Sequence, residues 1–328
     1  MSKLMTAVVL DAPGPASALE LRRIPVPSPR DGWVLLRVEA FGLNRSELHT
    51  RMGLAGPDVT FPRVLGIEAA GVIAAAPGTD FVVGSKAVAM MGGMGRRFDG
   101  GYAEYTLVPA EHVVGVETEL DWARLGALPE VLQTAYGSMT VGMGVSSGDT
   151  VLIRGGTSSV GLMTALLAKQ RDMTVLATTR SLSQVDALKA VGVDHALVDD
   201  GALAGEVQAL VPGGVDGALE LVGAPTLRDT MRCTRVGGVV CFTGMLSNKW
   251  IIDRFYPIDF IPTGVRLTAY GGGAADLPSE VLAGVADAVH AGAFPFPVQT
   301  YGLDDIVRAH EDMEHNRVAA KQVVLTRP

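Results

Sequence analysis

The sequence predicts an α/β chain in two domains, with a doubly wound parallel sheet set into a β-rich domain. Three observations lead there. Up to about residue 120 the chain runs as short β-like segments broken by Gly and Pro. Beyond Asp121, apolar residues take helical spacing and then strands alternate with helices, the pattern of a parallel sheet covered on both faces. From about residue 278, two amphipathic helix patterns and a closing strand restore the mixed character.

Strand-like runs fall at 5–10, 32–40, 69–75, 86–91, 105–109 and 113–116. Helical spacing follows at 125–139. The alternating region then reads as strands at 150–154, 174–178, 195–198, 217–222, 238–243 and 266–270, with helices from 160, across 184–191 and across 227–234. Helices at 278–290 and 303–316 and a strand at 321–325 cannot bury a core alone, so they are expected to complete the first domain. The resulting boundaries are 1–124 with 266–328 for the β-rich domain and 125–265 for the inserted one.

The chain has 328 residues, 48% apolar and 19% charged, enough to bury two cores. A net charge of −8 and the lack of a basic stripe disfavour nucleic acid. No run approaches the ~20 apolar residues of a membrane span, and the first ten residues read as a strand rather than a signal peptide. The only cysteines, Cys233 and Cys241, fall in a helix-like and a strand-like segment and are read as inert core residues of a reducing, cytoplasmic compartment.

The strongest local signal is Thr150-Val-Leu-Ile-Arg-Gly155-Gly156-Thr157-Ser158-Ser159-Val160-Gly161, a strand entering a small-residue loop that opens a helix. Such a loop lets backbone approach a pyrophosphate, and the helix N-terminus offers N–H groups and a favourable dipole. Ser158 or Ser159, depending on alignment, replaces the usual middle glycine, and its hydroxyl can itself bond a phosphate oxygen. The next strand ends Thr178-Thr179-Arg180-Ser181, without the acid that reads an NAD ribose. Two hydroxyls and a guanidinium suit a 2′-phosphate, so NADPH is predicted; the alternative is a solvated Arg180.

Read together, Gly42-Leu43-Asn44-Arg45-Ser46-Glu47-Leu48, Leu65-Gly66-Ile67-Glu68-Ala69-Ala70-Gly71-Val72, Gly100-Gly101-Tyr102-Ala103-Glu104-Tyr105, Leu128-Pro129-Glu130 with Thr134-Ala135-Tyr136, the loop above, 238–244 and Ala320-Lys321 resemble the medium-chain dehydrogenase/reductase superfamily, and within it the quinone oxidoreductase group. The resemblance covers nearly the whole chain. It implies a Rossmann domain inserted into a GroES-like catalytic domain, with the active site in the cleft. It also implies that Thr134, Phe242, Thr243, Gly244 and Lys321 line the cofactor, while Val222 and Gly223 face the nicotinamide; turn or packing roles are the alternative. Asp199 stands where the group often has a tyrosine against the adenosine.

Zinc-dependent relatives carry cysteine and histidine where this chain has Asn44 and Ile67, and no histidine pair here has ligand spacing, so no metal is expected. Without a Lewis acid, suitable acceptors delocalise the anion formed when hydride arrives. Quinones and alkenes conjugated to a carbonyl do so. Asn44 and His49 are the candidate catalytic residues. Asn44 could donate through a neutral amide, or instead satisfy a backbone turn. His49 could deliver a proton, or instead sit exposed on a short helix. By resemblance Arg51 forms a structural salt bridge or contacts substrate, and Glu68 and Glu104 read as holding loops together. The expected function is an NADPH-dependent, zinc-independent reductase of quinones or similar small acceptors. An enoyl-thioester or enone reductase, and an NADPH-binding sensor without turnover, are the competing readings. The strand at 238–243 and the aromatic-rich segment 249–262 suggest an exposed sheet edge, and by resemblance a homodimer.

Overall fold

The computed structural model describes residues 3–244 and 246–327. It divides into two compact units, residues 1–133 with 273–328 and residues 134–272.

The first unit starts with β1 (Leu4–Leu10), β2 (Leu19–Pro25), β3 (Trp33–Gly42), α1 (Arg45–Arg51), β4 (Arg63–Val64), β5 (Glu68–Ala75), β6 (Lys86–Met90), β7 (Tyr105–Pro109), β8 (Val113–Gly115), α2 (Trp122–Gly126) and the start of α3 (Pro129–Gly137). The helical spacing at 125–139 is thus broken at Pro129, whose missing N–H and fixed φ suit the first turn of a helix and end the one before it.

The second unit contains β9 (Thr150–Arg154), α4 (Ser159–Lys169), β10 (Thr174–Thr179), α5 (Val185–Ala190), β11 (His195–Val198), α6 (Ala204–Leu210), β12 (Val215–Glu220), α7 (Ala224–Arg232), β13 (Thr234–Phe242), α8 (Pro257–Phe260) and β14 (Arg266–Ala269). The chain then returns to the first unit with α9 (Ser279–His290), β15 (Val298–Gly302), α10 (Ile306–Glu314) and β16 (Lys321–Leu325).

In the first unit, β2-β1-β4 form a small sheet, and β15-β16-β3-β5-β6-β8 form a larger one to which β7 adds beside β3. Its core gathers the inward residues of these strands, with Phe41 stacked on Tyr102 at 4.6 Å between ring centroids. In the second unit one six-stranded parallel sheet runs β11-β10-β9-β12-β13-β14. Its strands are buried almost throughout because helices cover them.

Two expectations need correction. The first boundary falls at 133/134, within α3, and the second shifts to 272/273 because β14 pairs with β13 and so belongs to the parallel sheet. For the same reason the strand at 238–243 is not the sheet edge; β14 is. Cys233 and Cys241 are both buried and free, and burial pushes the Cys233 thiol up to about 12. No helix among the described residues is long and apolar enough to cross a membrane.

Candidate functional site

In the second unit, β9, β10, β12 and β13 end at Arg154, Thr179, Glu220 and Phe242, so the loops that follow share the C-terminal edge of the sheet. Strand order reverses between β9 and β12, where an open parallel sheet leaves a ligand crevice. The chain turns there through Gly155 at φ +88° and starts α4. A Cβ on Gly156 would lie 2.8 Å from the Ala177 Cβ, and one on Gly161 would lie 2.6 Å from the carbonyl oxygens of Gly155 and Gly156. Glycine at both positions therefore lets the loop fold tightly over the start of the helix.

Ser158 caps α4: its hydroxyl accepts the Gly161 N–H at 3.1 Å and donates to the Gly155 carbonyl at 2.8 Å. The cap thus engages the Ser158 hydroxyl. The N–H groups of Thr157, Ser159 and Val160 meet no acceptor among the described residues and stand at the positive end of an 11-residue helix. That arrangement fits a pyrophosphate.

Thr178 Oγ1 accepts the Gly155 N–H at 2.9 Å, and Thr179 Oγ1 accepts the Ser181 N–H at 3.2 Å, so both hydroxyls brace the loops. Arg180 is exposed, with no acid beside its guanidinium among the described residues. Asp199 has both carboxylate oxygens on Arg154, at 2.8 and 2.7 Å, and Arg154 also reaches Asp229 at 2.7 Å. Burial would raise the Asp199 carboxyl, but the paired hydrogen bonds and charge of Arg154 hold it below its ordinary value. This buried arginine hub was not foreseen.

Glu220 is equally unforeseen. Buried at the end of β12, it accepts the N–H groups of Val222 at 2.7 Å and Gly223 at 2.9 Å, and so shapes the turn where Gly223 sits at φ +126°. Thr243 and Gly244 both donate N–H to the Glu220 carbonyl at 3.1 Å, placing the Phe242-Thr243-Gly244 segment beside that turn. A Cβ on Gly244 would lie 2.6 Å from the Leu221 carbonyl oxygen. Thr134, in α3, is buried.

In the first unit, Asn44 is the N-cap of α1 and Glu47 completes its capping box. Glu47 accepts the N–H groups of Asn44 at 2.5 Å and Ile67 at 3.0 Å, and burial pushes its carboxyl up to about 8. The Asn44 amide donates to Glu68 at 2.8 Å and its carbonyl accepts from Lys321 at 2.5 Å. Lys321 also pairs with Glu68 at 2.8 Å, and the other oxygen of Glu68 accepts the Glu130 N–H at 2.8 Å. Lys321 and Glu68 are 1% and 0% exposed. A Cβ on Gly42 would come within 2.3 Å of Glu68 Oε1, so only glycine leaves room for this pair.

The Lys321 ammonium gives hydrogen bonds to Glu68 and Asn44 within its own unit. The Asn44 amide donates to Glu68 and Glu47. His49 is buried on α1, not exposed. Arg51 pairs with Glu314 at 2.6 Å, and Glu104 accepts the Thr6 N–H at 2.6 Å; both are structural.

Comparison with known proteins agrees with this architecture. Residues 30–118 match the family model of the alcohol dehydrogenase GroES-like domain, and residues 159–287 match that of the zinc-binding dehydrogenases. The quinone oxidoreductase of Lama guanicoe is 26% identical over 339 residues, covering 98% of each chain. Prostaglandin reductase-3 of Bos taurus is 33% identical over 234 residues, covering 68% of this chain and 58% of that one. The crystal structure of AibC superposes with a TM-score of 0.88 at 29% identity, covering 99% of this chain and 96% of that one. The chain is an oxidoreductase that binds a nicotinamide cofactor, and it belongs to the quinone-oxidoreductase-like group of the medium-chain dehydrogenase/reductase superfamily.

Proposed function

We propose that this chain is an NADPH-dependent reductase that works without zinc and reduces a quinone or a similar small conjugated carbonyl compound. The observation that carries the cofactor choice is the end of β10. Arg180 is exposed there with no carboxylate beside it among the described residues, and Asp199 is tied to Arg154. A 2′-phosphate therefore meets a cation and no competing acid.

The loop at 155–161 would hold the pyrophosphate on the N–H groups of Thr157, Ser159 and Val160. The turns at Val222-Gly223 and Phe242-Thr243-Gly244 would bound the nicotinamide. When bound, the reduced nicotinamide supplies a hydride, and one proton completes the two-electron reduction of the acceptor, leaving NADP+. Asn44 and Lys321 position Glu68 and the start of α1 in this scheme, and His49 is the candidate proton donor.

Zinc independence is supported by Asn44 and Ile67 at the positions of two zinc ligands. Among the described residues, no three His, Cys, Asp or Glu side chains stand together to hold a metal. The cysteines, buried and unpaired, suit a reducing cytoplasm. β14 leaves a sheet edge, and exposed Ile251, Tyr256 and Ile258 lie in the segment before it, so a homodimer is proposed through that region. Sedimentation showing a monomer at all working concentrations would refute the dimer.

The test of function is NADPH oxidation by a panel of quinones, enones and enoyl thioesters after treatment with a chelator. Quinone reduction supports the main reading. Turnover only with enones or thioesters would favour the second reading, towards which the prostaglandin reductase relative points. No turnover with any acceptor would leave an NADPH-binding sensor.

A further inference from the structure

The first unit contains a cavity of about 300 Å³. Val59, Ile67, Met91 and Met94 supply apolar walls, and Ser46 and Arg96 supply polar groups. Exposed Asp58 and Arg97 also line it, and their opposite charges offset one another. Arg96 is half-buried. Its Nη2 donates to Ser46 Oγ at 2.5 Å and its Nε to Thr50 Oγ1 at 3.4 Å. Both acceptors are neutral, and no carboxylate among the described residues lies within ion-pair distance of it.

Glu47 is close enough to act on Arg96 electrostatically, but its oxygens already accept the N–H groups of Asn44 and Ile67. Burial lowers the Arg96 pKa from its ordinary value. A guanidinium has five N–H donors, so three remain unused here. Ser46 Oγ accepts from Arg96, which leaves its own proton available to a second acceptor atom.

We infer that this cavity recognises a carboxylate, and that the acceptor is a small unsaturated acid. Its carboxylate is held by Arg96 and Ser46, and its carbon chain lies against Val59, Ile67, Met91 and Met94. The planar fork of arginine matches two carboxylate oxygens, and hydrogen bonds to an ionised group are about twice as strong as neutral ones. The volume suits on the order of ten non-hydrogen atoms, allowing about 30 Å³ for each as for liquid water. The acceptor's unsaturation rests on the hydride-transfer reading above; the carboxylate site can be tested without turnover.

The experiment is calorimetric titration of butanoate and butanamide into the full chain, together with R96M, R96K and S46A, at neutral pH. Butanoate is expected to bind at least about ten-fold more tightly than butanamide, the worth of one charge-assisted hydrogen bond. R96M should abolish that preference, R96K should restore part of it, and S46A should reduce it. Equal binding of acid and amide, or a preference that survives R96M, overturns the inference. Circular dichroism checks the fold of each variant. If R96M does not fold, the wild-type acid–amide comparison and S46A decide the matter.

A parallel assay follows NADPH oxidation by trans-2-butenoate, trans-2-butenamide and a neutral quinone. Reduction of the acid in preference to its amide supports the acceptor class. Quinone turnover with no reduction of the acid overturns it. Carboxylate binding with no reduction of any acceptor would defeat the hydride-transfer reading while leaving the Arg96 site standing.

Discussion

Replacing Lys321 by methionine removes the one cation from the buried cluster of Asn44, Glu47, Glu68 and Lys321 while nearly keeping its volume. Glu47 holds its proton at neutral pH because burial lifts it to about 8, so the charges to balance are Glu68 and Lys321, 2.8 Å apart. Without the ammonium, Glu68 keeps only the hydrogen bonds from Asn44 and the Glu130 N–H. Breaking a buried pair by removing one partner costs about 3–5 kcal/mol. The two remaining donors place the expected loss near the lower end, at about 3 kcal/mol. Urea denaturation at pH 6.5 reads it, with far-UV circular dichroism following the transition. The double variant K321M/E68Q should recover part of the loss, because no uncompensated charge remains. A loss below about 1 kcal/mol, the worth of an exposed pair, would refute the reasoning.

Further predictions concern pH, the cofactor and the loop. Glu47 is raised from 4.5 to about 8 in the fold, so the folded state binds the extra proton and stability falls as pH rises through that window. His310 is lowered from 6.5 to about 3 by burial and by the charge of Arg51, so its contribution is lost as pH falls below 6.5. The Glu47 effect should therefore emerge cleanly between pH 6.5 and 8. In urea denaturation the slope there should flatten in E47Q, and an unchanged slope would refute the assignment. R180A should weaken NADPH binding by about ten-fold or more and leave NADH unaffected, measured by fluorescence titration. Equal losses for both cofactors would exclude a 2′-phosphate contact. G161A drives a Cβ to 2.6 Å from two carbonyl oxygens and should reduce affinity for both cofactors alike. S158A should cost about 1 kcal/mol of stability through loss of the cap.

Much of the fold was legible in the chain because its signals are local. The strands Thr150–Arg154 and Lys321–Leu325 announce themselves through apolar, β-branched runs, and α4 through small residues followed by an apolar face. Leucine and valine spacing does not show what a buried charge will meet, however. Lys321 reads as a polar residue entering a strand; its partners lie 253 and 277 positions away, so only the tertiary fold reveals the pair. Arg154 likewise reads as the polar end of β9, and its acids, Asp199 just after β11 and Asp229 within α7, are distant in sequence. Glu47 could have been found, because an Asn followed three residues later by Glu is a helix-start signature. The sheet edge was misplaced because β13 and β14 each carry a single arginine, Arg235 and Arg266, and only pairing shows which strand lies outside.

The most direct test mixes NADPH carrying deuterium on one face of C4 with the chain, a chelator and a small conjugated acceptor. Deuterium recovered on one carbon of the reduced acceptor, from one face of the nicotinamide only, is the expected result. Deuterium retained in the cofactor with every acceptor, or transfer that appears only after zinc is restored, would contradict it.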